Sequence, residues 1–176
     1  MKISDLANKH LVAAHLKSHT REGVISEIVE QINACGKIKD KRQIINQLLE
    51  REGRGSTGIG RGAAIPHARI EDLKEAIVFI GISRRGINFS SADGMPVHLI
   101  VLFLTPLLES GLHLKILSMV ATLLNNEVFT GQLMQCSTND ELYRVIERAG
   151  IEKESFIALS KEDIYLELET GDNGID

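Results

Sequence analysis

The sequence predicts an α/β fold, a helix-covered sheet within one domain. Two continuous apolar runs rich in branched residues, AIVFIGIS (76–83) and VHLIVLFL (97–104), carry that reading, because strands apolar on both sides are covered on both faces. Segments with apolar residues three and four apart, opened by capping signals, alternate with these runs and supply the cover. A chain of 176 residues, 43% hydrophobic and 25% charged, suits one globular domain with a sizeable core.

The elements follow in order. HLVAAHL (10–16) is read as a short early strand. Thr20 caps a helix whose Val24, Ile25, Ile28, Val29 and Ile32 form one apolar face, and Gly36 ends it. Asp40 with Gln43 three residues on resembles a capping box for a second helix, with Ile44, Ile45, Leu48 and Leu49 inside and its end near Arg51. Residues 56–62 are expected to be a loop, neither good helix nor good strand, and GINF (86–89) a short strand before the Asp93-Gly94 turn. From Leu112 the spacing Leu112, Ile116, Val120, Leu123, Leu124 predicts a third helix. Thr138 with Glu141 predicts a fourth, with Leu142, Val145 and Ile146 inside and Gly150 after it. SKEDIYLELE (160–169) carries both a helix cap and a two-residue alternation, so its state stays open.

Composition excludes several classes. The longest apolar run is interrupted by His98 and Pro106, well short of the ~20 residues of a membrane span, and MKISDLANKH has no signal-peptide core. The expectation is a cytoplasmic protein in which Cys35 and Cys136 are free thiols. The net charge of −4 is uneven: residues 151–176 hold eight acids and two lysines, leaving +2 on residues 1–150. No basic footprint for nucleic acid is present, and the acidic tail reads as an appendage. His10, His15 and His19 form no ligand set, since a helix cap follows them and no cysteine or carboxylate completes one, so no metal is expected. His98 reads as a hydrogen-bonded core or strand-end histidine and Arg84 and Arg85 as a solvated strand end, with carrier docking as the alternative for the arginines.

The most informative stretch is STGIGRGAAIPHAR (56–69). Glycines at 58, 60 and 62 either make turns of positive φ or let peptide N–H groups approach an anion. A P-loop is excluded, because no Lys-Ser/Thr pair follows. Gly58, Gly60 and Ala63 match a dinucleotide fingerprint in letters, but helix precedes the glycines and Pro66 stands where the next helix should be under way. What remains is a loop that serves His67. Pro66 fixes its own φ and biases Ile65 toward extended backbone, so AAIPH is a stiff mount for the imidazole. A neutral imidazole can attack phosphorus when its other nitrogen is held by a hydrogen bond.

LLERE (48–52), GSTGIGRGAAIPHAR (55–69), DGMPVHLIVLFLTP (93–106) and HLKILSMVATLL (113–124) together resemble the IIA component of the fructose–mannitol class of the phosphoenolpyruvate-dependent sugar phosphotransferase system, its nitrogen-regulatory branch included. The similarity implies a type-2 IIA domain over residues 3–148, a mixed β-sheet flanked by helices, followed by an acidic extension at 149–176. It implies that His67 accepts a phosphoryl group, as tele-phosphohistidine, from the phosphohistidine of HPr or a paralogous carrier. It further implies that Arg51 and His113 assist, and that the backbone of Ser56, Thr57, Gly58, Gly60 and Gly62 shapes the phosphoryl pocket. No cofactor is required. The onward partner is a IIB component in sugar uptake or a target protein in regulation; GSTGIG and the absence of fused IIB or IIC segments favour the regulatory branch. The reading of another class, an interaction module without phosphotransfer, predicts loss of the nucleophile or its charge partner, yet His67, Arg51 and His113 are all present.

Overall fold

A computed structural model describes residues 1–149. The 149–176 extension, apart from its first residue, lies outside them, as do the open reading of 160–169 and Gly150. In chain order the elements are α1 (Ile3–Leu6), β1 (Val12–Ala13), α2 (Arg21–Ala34), α3 (Lys41–Gly53), β2 (Gly58–Gly60), β3 (Ala63–Ala64), β4 (His67–Ile70), β5 (Ile77–Ile87), β6 (Val97–Pro106), α4 (Ser110–Leu124) and α5 (Glu127–Gln135). A last helix, α6, covers 139–149.

One mixed sheet runs β1-β5-β6-β3-β2, with β4 also on β6. β5 and β6 pair antiparallel at its centre, as their unbroken apolar runs require, and β1 lies parallel to β5. The pleat divides each run between two cores. Ile77, Phe79, Ile100, Leu102 and Leu104 meet α2 and α3, whereas Val78, Ile80, Ile82, Leu99, Val101 and Phe103 meet Ile116 and Val120 of α4, Leu133 of α5, and Leu142 and Ile146 of α6.

The helix caps are those read from the sequence. Gly23 N donates to Thr20 Oγ1 at 3.0 Å and Gln43 N to Asp40 Oδ1 at 3.0 Å. In α6 Glu141 N donates to Thr138 Oγ1 at 3.2 Å while Thr138 N donates back to Glu141 Oε2 at 3.3 Å, a closed capping box. α2 stops just before Gly36, whose φ of 67° suits a residue without Cβ.

Four expectations need correction. The early strand shrinks to Val12–Ala13, and α1 precedes it, one turn anchored by buried Ile3. Residues 56–62 are not a free loop: β2 and β3 form an antiparallel hairpin, closed by Gly60, Arg61 and Gly62 with φ of 86°, 52° and 77°. Such a run of left-handed residues makes a tight hairpin turn, which is where the glycines are needed. GINF does not stand apart, because β5 continues to Ile87, with a register shift between Ile82 and Ile87. Finally α5 was not foreseen; Asn126 caps it by accepting from Phe129 N at 3.1 Å.

Gly86 lies in that irregular stretch of β5 with φ of 80°. A Cβ there would sit 2.9 Å from both His98 Cε1 and Pro96 Cβ. Gly86→Ala therefore combines left-handed strain with a steric clash and is expected to cost about 1–3 kcal/mol in urea unfolding. An unchanged midpoint would show that this bend does not need glycine.

Candidate active site

The chain from Ala63 to Ile70 runs along β6 in a single parallel register: Ala63 pairs with Leu99, Ala64 with Ile100, His67 with Phe103 and Arg69 with Thr105. Pro66 contributes no N–H, but its carbonyl accepts from Phe103 N at 3.0 Å, so the ladder resumes in step. Alternation then decides which side each residue faces. Ala64, Ala68 and Ile70 enter the core under α2 and α3, and Ala63 and Ile65 the opposite one. His67 and Arg69 share the face of Ala63 and Ile65, the side on which α4 begins.

β4 pairs only with β6, so it forms a sheet edge, and the space past that edge is an open cleft of about 580 Å³. Arg51 of α3 and Arg54 just after it form one wall, His67 and Arg69 the floor, and His113 and Leu114 of α4 the other wall. Three residues far apart in sequence, Arg51, His67 and His113, thus meet at one cleft. The predicted backbone cradle does not line it: none of Ser56, Thr57, Gly58, Gly60 or Gly62 is on its walls. Two of their N–H groups are already committed, Thr57 N to Glu52 Oε1 at 2.9 Å and Gly58 N to Ser56 Oγ at 3.0 Å. The hairpin supports the mount of His67 from behind, with Ile65 N donating to Thr57 O at 3.0 Å.

His67 is half-buried, its ring stacked on buried Phe103 at 5.2 Å and 11°. Its Nδ1 lies 2.7 Å from the carbonyl oxygen of Ile65. A carbonyl can only accept, so Nδ1 carries the hydrogen and Nε2 keeps its lone pair. Burial pushes the imidazole below its ordinary value, and the Arg51 charge acts in the same sense; the Ile65 carbonyl and Glu52 oppose them. The His113 ring stands edge-on to that of His67 at 5.3 Å and 60°, leans on Phe103 at 5.1 Å, and has Nδ1 2.6 Å from Thr105 Oγ1. Burial, then the proximity of His67, Arg69 and Arg51, pulls His113 down to about 4. Its ring is therefore neutral near pH 7.

The guanidinium groups differ. Arg54 is neutralised by Glu50 at 2.6 Å, whereas Arg51 donates to the Gly55 carbonyl at 3.0 Å and Arg69 to Ser110 Oγ at 3.0 Å. Among the described residues neither Arg51 nor Arg69 is in a salt bridge. Two positive charges thus face a cleft that holds one imidazole with a free nitrogen, an arrangement suited to a dianionic tetrahedral group. Arg69, Phe103, Thr105 and Glu52 escaped the sequence reading. A signal existed for two of them: Phe103 and Thr105, two apart at the end of a strand run, share a face, and a threonine closing so apolar a run has to find a partner.

Other singled-out residues lie elsewhere. His98 Nδ1 is 2.9 Å from the Ser83 carbonyl oxygen, the hydrogen-bonded state expected of it. Arg84 and Arg85 are exposed, as expected, and Arg84 also donates to Met134 O at 2.5 Å and to Cys136 O, capping the carbonyl end of α5. Arg85 meets His19 Nε2 at 3.1 Å, and His15 Nε2 meets Ser137 O at 2.8 Å. Among the described residues no helix is long and apolar enough to cross a membrane.

The sequence and fold match known proteins over the same region. The family model for the EIIA 2 component of the phosphoenolpyruvate-dependent sugar phosphotransferase system matches residues 5–149. A fructose-specific EIIABC component of Bacillus subtilis is 34% identical over 146 residues, which is 83% of this chain and 23% of that protein's length. A nitrogen regulatory protein of Bradyrhizobium diazoefficiens is 30% identical over 146 residues, 83% of this chain and 95% of that one. Among solved structures, the nitrogen regulatory protein IIA-Ntr from Neisseria meningitidis superposes with a TM-score of 0.76 at 26% identity, over 82% of this chain and 98% of that one. With 145 of its residues in that family match and the same fold around His67, the chain belongs to the EIIA 2 family of the sugar phosphotransferase system.

Proposed function

We propose that the protein is a cytoplasmic histidine phosphocarrier in which His67 Nε2 accepts a phosphoryl group from the phosphohistidine of an HPr-type carrier. The observation that carries this reading is the 2.7 Å contact between His67 Nδ1 and the Ile65 carbonyl, which leaves Nε2 unprotonated in a cleft with two guanidinium groups that, among the described residues, are in no salt bridge. In the step itself a bond forms from Nε2 to phosphorus as the donor's N–P bond breaks, its electron pair returning to the donor ring. No proton has to leave His67, because Nε2 carries none. The positive charge that develops on the ring is met by the Ile65 carbonyl at Nδ1–H. Arg51 engages the phosphoryl oxygens and His113 donates a hydrogen bond to them. Exposed Leu107 and Leu114 at the cleft, with exposed Leu108 next in sequence to Leu107, give a docking partner apolar contact around the charged centre.

For the onward step we infer a regulatory outlet, in which targets are bound according to the state of His67. Support comes from the nitrogen regulatory relative that matches along 95% of its length and the IIA-Ntr structure with TM-score 0.76. The fructose-specific relative at 34% identity supports the other outlet, transfer to a IIB cysteine during sugar uptake. Offering the phosphorylated protein to a fructose-type IIB domain separates the two. The regulatory reading expects the label to stay on His67, and rapid passage to the IIB cysteine would replace it with the transport reading.

Incubation with phosphoenolpyruvate, enzyme I and a cognate carrier is expected to give an acid-labile, base-stable label that nitrogen-15 spectra place on His67 Nε2. Label that persists in His67→Ala, or that resides on Nδ1, would remove the assignment.

Arg51 has a competing structural explanation, since it sits in the last turn of α3, where a cation suits the helix dipole. Arg51→Lys distinguishes the two roles. Helix capping alone predicts normal melting and normal label uptake, whereas a bidentate grip on the phosphoryl group predicts normal melting with uptake slowed by about 10²-fold or more.

A further inference from the structure

We propose that Thr105 is a positioning residue that sets His113 as the tautomer with hydrogen on Nε2, so that this ring presents a donor, rather than a lone pair, to a phosphoryl group on His67. The proposal rests on the reading of His67 as the phosphoryl acceptor.

Thr105 is fully buried near the end of β6, and its Oγ1 lies 2.6 Å from His113 Nδ1. Among the described residues that hydroxyl has no other hydrogen-bond partner. A hydroxyl carries one hydrogen and two lone pairs. If Nδ1 were protonated, Oγ1 would accept from it and the O–H would be left in the core with nothing to bond, the costly outcome for a buried donor. If Nδ1 is bare, the O–H donates to it and both groups are satisfied. The second arrangement therefore holds, and the ring hydrogen is on Nε2. A doubly protonated ring would strand the hydroxyl in the same way, and burial beside His67, Arg69 and Arg51 also opposes it.

The neighbouring imidazole shows the reverse arrangement. The partner of His67 Nδ1 is a carbonyl, which can only accept, so Nδ1 keeps its hydrogen and Nε2 its lone pair. Two histidines with ring centroids 5.3 Å apart are thus set in opposite tautomers by two different partners, one the nucleophile and the other the donor. The β4–β6 register supports the pairing: Thr105 lies opposite Arg69 and Phe103 opposite His67, so the residue that sets His113 is on the strand paired with the one that carries the floor of the site.

The test reads the tautomers first. Long-range hydrogen–nitrogen-15 correlation spectra of the unphosphorylated protein at pH 7 are expected to show His113 with hydrogen on Nε2 and His67 with hydrogen on Nδ1. Thr105→Val removes the hydroxyl at nearly constant shape. It is expected to shift the His113 Nδ1 resonance and to slow single-turnover label uptake tenfold or more, with carrier affinity unchanged; Thr105→Ser restores both. Hydrogen on His113 Nδ1 in the wild type overturns the proposal, and so does a valine variant with unchanged shift and rate. The wild-type spectrum reads the tautomer even if the valine variant does not fold. Should no phosphorylated carrier label the wild type while His113 still shows hydrogen on Nε2, the phosphocarrier reading fails and the Thr105 assignment to the His113 tautomer stands.

Discussion

The site depends on the register of residues 63–70 along β6. Side chains alternate across a sheet, so a slip of one position would send His67 and Arg69 into the core beneath α2 and α3 and turn Ala68 and Ile70 toward α4. The sequence guards against that slip on both faces. Ala64, Ala68 and Ile70 are apolar where one core needs them, and Ala63 and Ile65 where the other does. Backbone bonds on either side of Pro66, Leu99 N to Gly62 O at 3.0 Å and Phe103 N to Pro66 O at 3.0 Å, hold the same step. Proline thus removes a donor from the segment without letting it shift. The frame also brings Phe103 under the His67 ring and Thr105 within reach of His113.

A second constraint couples α3 to that frame. Glu52 is buried, and its carboxylate accepts from Thr57 N at 2.9 Å and from Thr57 Oγ1 at 2.6 Å. Charge-assisted bonds of this kind offset the cost of removing a carboxylate from water, which an unpaired glutamate could not do. The same bonds fasten the C-terminal turn of α3 to the hairpin on which the Pro66–His67 segment is built. Arg51, one residue earlier, is left on the cleft side, its guanidinium braced by the Gly55 carbonyl. The glycines of 56–62 therefore act through shape. They allow a tight turn and, at Gly58, a close approach to Ser91, whose side chain a Cβ would crowd. The hairpin they form carries the mount of His67.

The sequence made some of this legible and hid the rest for physical reasons. Local rules sufficed where local chemistry decides: the Thr20, Asp40 and Thr138 caps, the double-sided apolar runs of β5 and β6, and the stiff Ile-Pro-His mount. His67, Arg51 and His113 could be named because each sits in a motif that resembles a family pattern. Glu52, Arg69, Phe103 and Thr105 could not, because their roles exist only across pairings. Thr105 acquires its partner from the first turn of α4, and Phe103 reads as one more core residue until β4 is laid beside it. Helix α5 was hidden differently: Thr130 and Gly131 interrupt its helical preference, and packing of Phe129 and Leu133 supplies what propensity lacks. The hairpin was missed because glycine-rich strands carry no side-chain alternation to read.

The division of charge at the cleft has a consequence for a group that must be both taken up and given away. Positive charge resides on guanidinium groups held by neutral acceptors, a carbonyl for Arg51 and a hydroxyl for Arg69, so it is free to meet an anion. Arg54, matched to Glu50, contributes little of it. Burial, joined by Arg51 at His67 and by His67, Arg69 and Arg51 at His113, lowers both imidazoles and so favours the lone pair on His67. The bond from His67 Nδ1–H to the Ile65 carbonyl is made by the free ring and can be kept by a phosphorylated one. This bond orients the nucleophile and strengthens as positive charge develops on the ring, and interactions that grow along the transfer are the ones that alter its rate. In the proposed transfer the contacts of Arg51 and His113 with the moving phosphoryl oxygens grow as well. On the proposed function, a site built this way lowers the barrier in both directions and leaves the direction of flow to the docking partner.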